Sequence, residues 1–550
     1  MSEPASTRWD DETMLVTWLA GCVALVSFLF YLRHGDVLLY GDAVAHINIA
    51  RRVFDSRTPG LLQLGTVWLP LPHLLMIPFI FSDWMWRTGV GGSIPSLIAY
   101  IFGTVGIFRL VRGGLSSLSV PNGGARVAAW IAAVIYAGNP NLIYLQSTAM
   151  TEPLYLALFV WAVVFFSEFV DTARRDVPAA QSSLLKCGWC LAGACLTRYD
   201  GWFLAVAITA VAVLVIAASG REGKVHYRTA AKFVLLAAAG PVLWIAYNAI
   251  VYRNPLEFAN GPYSAKAIER KTTPPGAPLH PGADNLPVAA SFFIKSGEIM
   301  MTESNWHRLW LALALLGAAG VLILERRLWP LLLLWMPLPF YTLSVAYSGV
   351  PIFIPPWWPH TLYNVRYGSE LLPAFAVFAT LAVYFSARFV ASGSARVGLT
   401  GALVILLIVS YAAIWRAQPV AFREAWINSR SRIAIERELA NTLNELPHNS
   451  TLLMYLGEHP GALQRAGIPL RQVIYEGNHR SWRQPADSDG LWEHALANPA
   501  QYVDYVVASD GDAVSNAMQQ EQRTPLVVIH VSGQPRMVIY SARSANRSSQ

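Results

Sequence analysis

Apolar residues gather along this chain in runs long enough to cross a bilayer. A spanning helix needs ~20 mostly apolar residues. Such runs occupy 14–32, 93–111, 127–146, 154–170, 200–218, 230–252, 309–324, 328–347, 370–387 and 398–415, and a shorter one at 184–197 pairs with its successor as a tight hairpin. The pattern predicts a polytopic α-helical membrane protein of about eleven spans. Residues 66–87 break the pattern. Pro70, Pro72, Pro78 and an interior His73 interrupt them, and Trp68, Trp84 and Trp86 suit a membrane interface. This segment is expected to lie on the surface without crossing. Past residue 415 the pattern changes again. A helical period covers 424–446. Strand-like runs follow at Thr451–Leu456, Gln472–Glu476, Tyr502–Ala508, Leu526–Val531 and Met537–Ser541, with a hairpin turn at Ser532–Pro535 and helices at 458–467 and 511–522. The expected organisation is a transmembrane domain at 1–415 and a small α/β domain at 416–550.

Composition agrees. Of 550 residues, 54% are hydrophobic and 14% charged, where soluble domains carry about 25% charged residues. This excludes an ordinary soluble enzyme and a disordered chain. The net charge of +7 comes almost wholly from arginine, since lysine occurs six times. In a soluble protein such charge would suggest nucleic acid; here much of it sits in short loops and reports topology, and no nucleic-acid partner is expected. With 66–87 outside, the inner loops hold thirteen Lys and Arg, Arg221 and Lys224 among them, while the short outer loops hold Arg198 and Arg366. The positive-inside rule then places the N-terminus in the cytoplasm and the C-terminal domain outside a bacterial cytoplasmic membrane. Cys187 and Cys190 form a C-x-x-C inside an apolar run without a nearby His, so small-residue packing accounts for them better than metal or redox chemistry.

That topology puts four polar constellations on one side. Asp42 opens a predicted interfacial helix with His46 one turn on; it reads as an N-cap or as a general base at the membrane surface. Glu152 precedes Pro153 at the start of a span, as an acid suited to a helix N-terminus or as a second acid in the chamber that Asp42 faces. Arg198 and Asp200 share the hairpin turn, as an internal ion pair or as a guanidinium for an anionic substrate. Arg366 and His360 follow Trp357 and Trp358, as interface anchors or as a phosphate site, because the planar Arg fork donates bidentately. No metal-ligand spacing is visible and no cofactor is implied, with a divalent cation left open. Acids, His, Arg and aromatics at one membrane surface suggest chemistry on a lipid with an anionic head.

These residues resemble a known superfamily. Gly41-Asp42 in a long first outer loop, Thr151-Glu152-Pro153 opening a span, the turn Thr197-Arg198-Tyr199-Asp200-Gly201, and Asn364-Val365-Arg366-Tyr367 leading to a late span with Pro373 are similar to the GT-C membrane glycosyltransferases. The resemblance is to the bacterial branch related to protein O-mannosyltransferases and the lipid A aminoarabinose transferase, and it covers about residues 14–415. It implies transfer of a sugar, with inversion, from a polyprenyl-phosphate carrier to an acceptor glycan, lipid or protein. Asp42 would be the base, and Arg366, with His360 or Arg198, would meet the phosphate. Unlike many relatives, the chain has no second acid beside Asp42. The rival class is a transporter or flippase of a lipid-linked anionic headgroup, which would more often show matching broken helices in two halves.

The topology is testable. A cysteine at Gly91 should react with an impermeant thiol reagent from the periplasmic side and one at Gly114 should not. Labelling at 114 alone would invert the arrangement.

Overall fold

The computed structural model describes residues 10–118, 122–218, 227–274, 276–478, 489–521 and 523–542. Arg221 and Lys224 of the charge count lie outside them. Among the described residues eight helical stretches are long and apolar enough to cross a membrane: Asp11–His34, Val90–Ser116, Glu152–Thr172, Asp200–Ala218, Tyr227–Val251, Arg326–Tyr347, Val365–Arg388 and Gly393–Asn444. Gly124–Ala137 and His307–Ile323 are apolar but shorter, and Val177–Cys195 is the first arm of the expected hairpin. Residues 66–87 hold only two six-residue helices, Leu71–Met76 and Asp83–Thr88.

One expected span is broken. The run 127–146 is helical only to Ala137 and starts again at Pro140–Leu145. Pro140 has no N–H to continue the ladder, and Asn139 caps the second piece by accepting from the amides of Asn141 and Leu142. The Tyr411 hydroxyl donates to the carbonyl of Ile135 at 2.5 Å, which satisfies a backbone group at the break. A further helix, Leu286–Met301, lies where the sequence suggested only a polar loop; it buries Phe292, Phe293 and Ile299.

The chain divides into two compact units. The first comprises the described parts of Met1–His34, Pro95–Trp244 and Pro262–Glu424; the second comprises those of Gly35–Ile94, Ile245–Gly261 and Ala425–Gln550. The linear division at 415/416 is therefore not the one that packing makes. Residues 35–94 and 245–261 share a unit with the described part of 425–550.

In the first unit helices approach closely where glycine permits it. His307–Ile323 crosses Leu372–Arg388 so tightly that a Cβ on Gly317 would overlap the Phe378 carbonyl oxygen, and one on Gly320 would strike the Phe385 ring. Small residues at such crossings let backbones touch where no hydrophobic drive acts between helices. Gly368 likewise passes against the backbone of Ser296, bringing the turn at 365–371 onto Leu286–Met301.

The second unit contains a five-stranded sheet of β1 (Leu452–Met454), β2 (Val473–Ile474), β3 (Tyr505–Ser509), β4 (Val527–Ile529) and β5 (Met537–Ser541) in the order β2-β1-β3-β5-β4. β1 runs parallel to β2 and β3, while β5 is antiparallel to β3 and β4. All five expected strands are present, and Gly533 takes the positive φ of 79° in the β4–β5 turn. The helix Gly41–Arg52 is tied to the tail by a closed ring of buried bonds. Asn48 donates to Gln464 at 2.9 Å, Gln464 donates to the Trp86 carbonyl at 2.7 Å, and the Trp86 indole donates to Asn48 at 3.2 Å. Arg51 adds bonds to Asp55 (2.8 Å), the Ile80 carbonyl (2.7 Å) and Asp83 (2.6 Å).

Two tests follow from the packing. A Cβ at Gly91 would lie 2.8 Å from Ile80 Cγ2, so the outer labelling cysteine belongs at the exposed Arg57. Gly317→Val should destabilise the folded protein by about 1–3 kcal/mol or more, as overpacking does, read as a lower unfolding temperature in detergent. An unchanged melt would mean that the two helices are free to separate.

Candidate functional site

The sequence candidates fall into two groups, one in each unit. In the first unit Glu152 is the first residue of its helix, with Pro153 next to it. It is wholly buried. Its Oε1 accepts from Arg366 Nε at 3.1 Å and lies 3.4 Å from Arg198 Nη1. Arg366 Nη1 also donates to Glu424 Oε1 at 2.7 Å. The other oxygen of Glu424 accepts the backbone amides of Val365 at 2.6 Å and Arg366 at 3.3 Å, capping the turn that carries the arginine. Arg198 donates from Nε to Asp200 at 3.3 Å, from Nη1 to Thr151 Oγ1 at 3.0 Å and from Nη2 to the Tyr341 hydroxyl at 2.6 Å. That hydroxyl donates onward to Asp200 at 3.2 Å. Glu370, also fully buried, sits 3.6 Å from Arg198 Nε.

This arrangement corrects three expectations. Arg366 does not present its head at an interface: it is 6% exposed and engaged by two carboxylates. Glu152 is enclosed between guanidiniums and faces no open chamber. Arg198 takes the structural alternative, the internal pair with Asp200, and extends it to Tyr341 and Thr151. The group is a clamp that joins the starts of two helices, a hairpin turn and the Val365–Leu371 turn. His360 lies in an exposed loop, its Nδ1 3.0 Å from the carbonyl oxygen of Pro355. Trp357 packs edge-on against Phe292, while Trp358 remains exposed.

In the second unit Asp42 is the second residue of the helix Gly41–Arg52, and Tyr40 holds the cap position with no side-chain bond. Asp42 is therefore not the N-cap. It is partly exposed in the first turn, where the helix dipole favours its anion. One turn on, His46 is buried, with Nδ1 2.9 Å from Nε2 of His73 and its ring 4.7 Å from Trp68. Burial, and then the charges of His46 and Arg52, hold the His73 imidazole well below its usual pKa, so it is neutral at pH 7. Arg52 ends the same helix. Its guanidinium lies over the Tyr475 ring at 5.4 Å, and its buried Nε has no hydrogen-bond partner among the described residues. A cation with an unused donor thus ends the helix whose first turn holds Asp42, and it could meet an anion as Arg366 was expected to. Arg52 was passed over because a basic residue on an interfacial helix reads as an ordinary polar face. Among the described residues no group of three or more His, Cys, Asp or Glu could hold a metal ion.

No family model matches the chain, and no curated protein matches it by sequence. Solved structures match by fold. ArnT from Cupriavidus metallidurans bound to undecaprenyl phosphate superposes with a TM-score of 0.57 at 14% identity, over 96% of this chain and 98% of that one. The same enzyme in its apo state gives 0.54 at 14% identity, over 96% and 97%. A looser likeness, at TM-score 0.44 and 12% identity, is to an Archaeoglobus fulgidus oligosaccharyltransferase. The chain therefore has a fold like that of ArnT.

The buried clamp generates a prediction about stability. Arg366→Met would leave Glu152 and Glu424 buried without their shared cation, and breaking such a pair typically costs about 3–5 kcal/mol. The variant should melt well below wild type in detergent, and Glu424→Gln added to it should recover part of the loss. A melt unaffected by Arg366→Met would show that the clamp holds nothing together.

Proposed function

We propose that this protein is a membrane glycosyltransferase that takes a sugar from a polyprenyl-phosphate carrier on the outer face of the bacterial cytoplasmic membrane. The observation that carries this reading is the likeness to ArnT, which extends over nearly the whole of both chains and includes a structure in which ArnT holds undecaprenyl phosphate. The position of Asp42 supports it. Asp42 is a partly exposed acid in the first turn of a helix that also carries the buried His46, next to His73, and ends at the cation Arg52.

In this reading Asp42 accepts the proton of the acceptor hydroxyl as that oxygen attacks the anomeric carbon. The C–O bond to the carrier breaks on the opposite side, and the configuration inverts. The carrier leaves as a lipid phosphate whose charge rises from one towards two. A guanidinium held beside it therefore binds the transition state more strongly than the donor, which is the condition for raising the rate. Arg52 supplies that charge. The His46–His73 contact fixes the helix face next to Asp42, and burial holds His73 neutral.

The test uses membranes containing the full chain and a panel of radiolabelled polyprenyl-phosphate sugars. Asp42→Asn keeps the shape and removes the base, so transfer should fall by ~10²-fold or more with normal insertion. Arg52→Gln should lower turnover more than donor binding. Wild-type transfer by Asp42→Asn would refute the assignment of the base, and no transfer from any carrier by the wild type would refute the class.

A further inference from the structure

The second unit contains a cavity that shares no residue with the Asp42 group. It has a volume of about 570 Å³ and is lined by Asp83, Trp84, Arg87, Thr88 and Arg465. Its two cations are unevenly served. Arg87 lies four residues after Asp83, the spacing of a helical ion pair, but Asp83 turns to Arg51 at 2.6 Å. Among the described residues Arg87 meets no carboxylate; its Nη2 donates to the Arg465 carbonyl at 2.9 Å. One bond to a helix-end carbonyl uses one of five guanidinium donors. The fork rests on Gly467, where φ is 75° and a Cβ would lie 3.0 Å from Arg87 Cζ and Nη1. Arg465 reaches a carboxylate only at 3.7 Å, on Glu436, which Arg432 holds more closely at 2.8 Å. Burial, together with Arg432 and Arg437, pushes the Arg465 guanidinium below its usual pKa despite Glu436. An added anion would relieve that cost.

Trp84 is the apolar side chain of the lining, and further exposed apolar side chains stand near it in the chain. Trp84 and Phe81 are each 61% exposed, and Leu74 and Leu75 are exposed on the preceding helix. Large apolar side chains turned outward beside arginines are suited to the headgroup boundary of a bilayer, where the rings sit among headgroups and the acyl chains begin. Asp83 would repel an anion, but Arg51, which also holds Asp55, lies 2.6 Å from it and offsets part of its charge.

We propose that this cavity binds the phosphate of an anionic membrane lipid headgroup, with Arg87 and Arg465 on the phosphate and Trp84 and Phe81 against the first carbons of the chains. Arginine suits this role because its fork pairs with two phosphate oxygens at once. Bound lipid would hold the 66–87 segment at the membrane surface independently of any sugar transfer.

The experiment measures binding of dihexanoyl phosphatidylglycerol to the full-length protein in detergent, with dihexanoyl phosphatidylcholine and inorganic phosphate as parallel probes. Wild type should prefer phosphatidylglycerol. R87Q/R465Q should lose about tenfold or more in affinity, the scale of one or two charge-assisted bonds, while R87K stays within a few-fold. Trp84→Ala should weaken the lipid several-fold. Should the double variant fail to fold, the exposed Trp84 position keeps the proposal testable, because unchanged lipid affinity in Trp84→Ala would overturn it. Unchanged affinity in R87Q/R465Q would also overturn it, as would equal binding of phosphatidylcholine. Inorganic phosphate binding as tightly as the lipid would overturn the lipid as occupant. None of these readouts depends on glycosyl transfer, so failure here leaves the proposed enzyme activity untouched.

Discussion

The membrane body depends on a charge that has been removed from water. Arg366 lies inside the first unit with its guanidinium divided between Glu152 and Glu424. A buried guanidinium is tolerable only when carboxylates and dipoles replace its hydration, so the residues that hold it are constrained together. Glu152 must begin its helix there, and the Val365–Leu371 turn must offer its amides to Glu424. Arg198 repeats the principle one step away, tying Asp200, Thr151 and Tyr341 to the same acid. Helices that gain little from apolar contact with one another in lipid are here registered by a polar core and by glycines at the crossings.

Much of the architecture could be read from the chain because lipid leaves few choices. Length and apolarity marked the eight helices long and apolar enough to cross a membrane, and prolines marked 66–87 as a stretch without a long helix. The tail's strands were legible from alternation. Three features were not. The break at Pro140 hides inside an apolar run whose composition never changes. The helix Leu286–Met301 is apolar on one side only and sits in a stretch rich in proline and glycine. The partner of Arg366 lies in the tail, and no local spacing links residues 58 positions apart. The sequence rightly singled out Glu152, Arg198 and Arg366 as unusual, since charges at that depth need partners; it could not say that they are one another's partners. Asp42 illustrates the opposite limit. Its place at a helix start was legible, but the capping residue differed by two positions, a shift that sequence patterns do not resolve.

The second unit shows how a short helix can be held by distant parts of the chain. The helix Gly41–Arg52 is too short to be stable alone in water. It is held by the ring of Asn48, Gln464 and Trp86 and by Arg51, whose guanidinium also lies 4.8 Å from the Trp86 ring. Every member of the ring is satisfied, which makes such a network a rigid support. Asp42 and Arg52, at the two ends of this helix, inherit a fixed separation from it.

That ring also sets a schedule. Asn48 and Gln464 are 416 residues apart. At the roughly 5–20 residues per second of chain synthesis, about 20–80 seconds pass between making the first and making the second. Throughout that interval the early helix lacks the tail partner of its buried Asn48. Its final packing waits for the tail, and until then the half-made chain lacks that support.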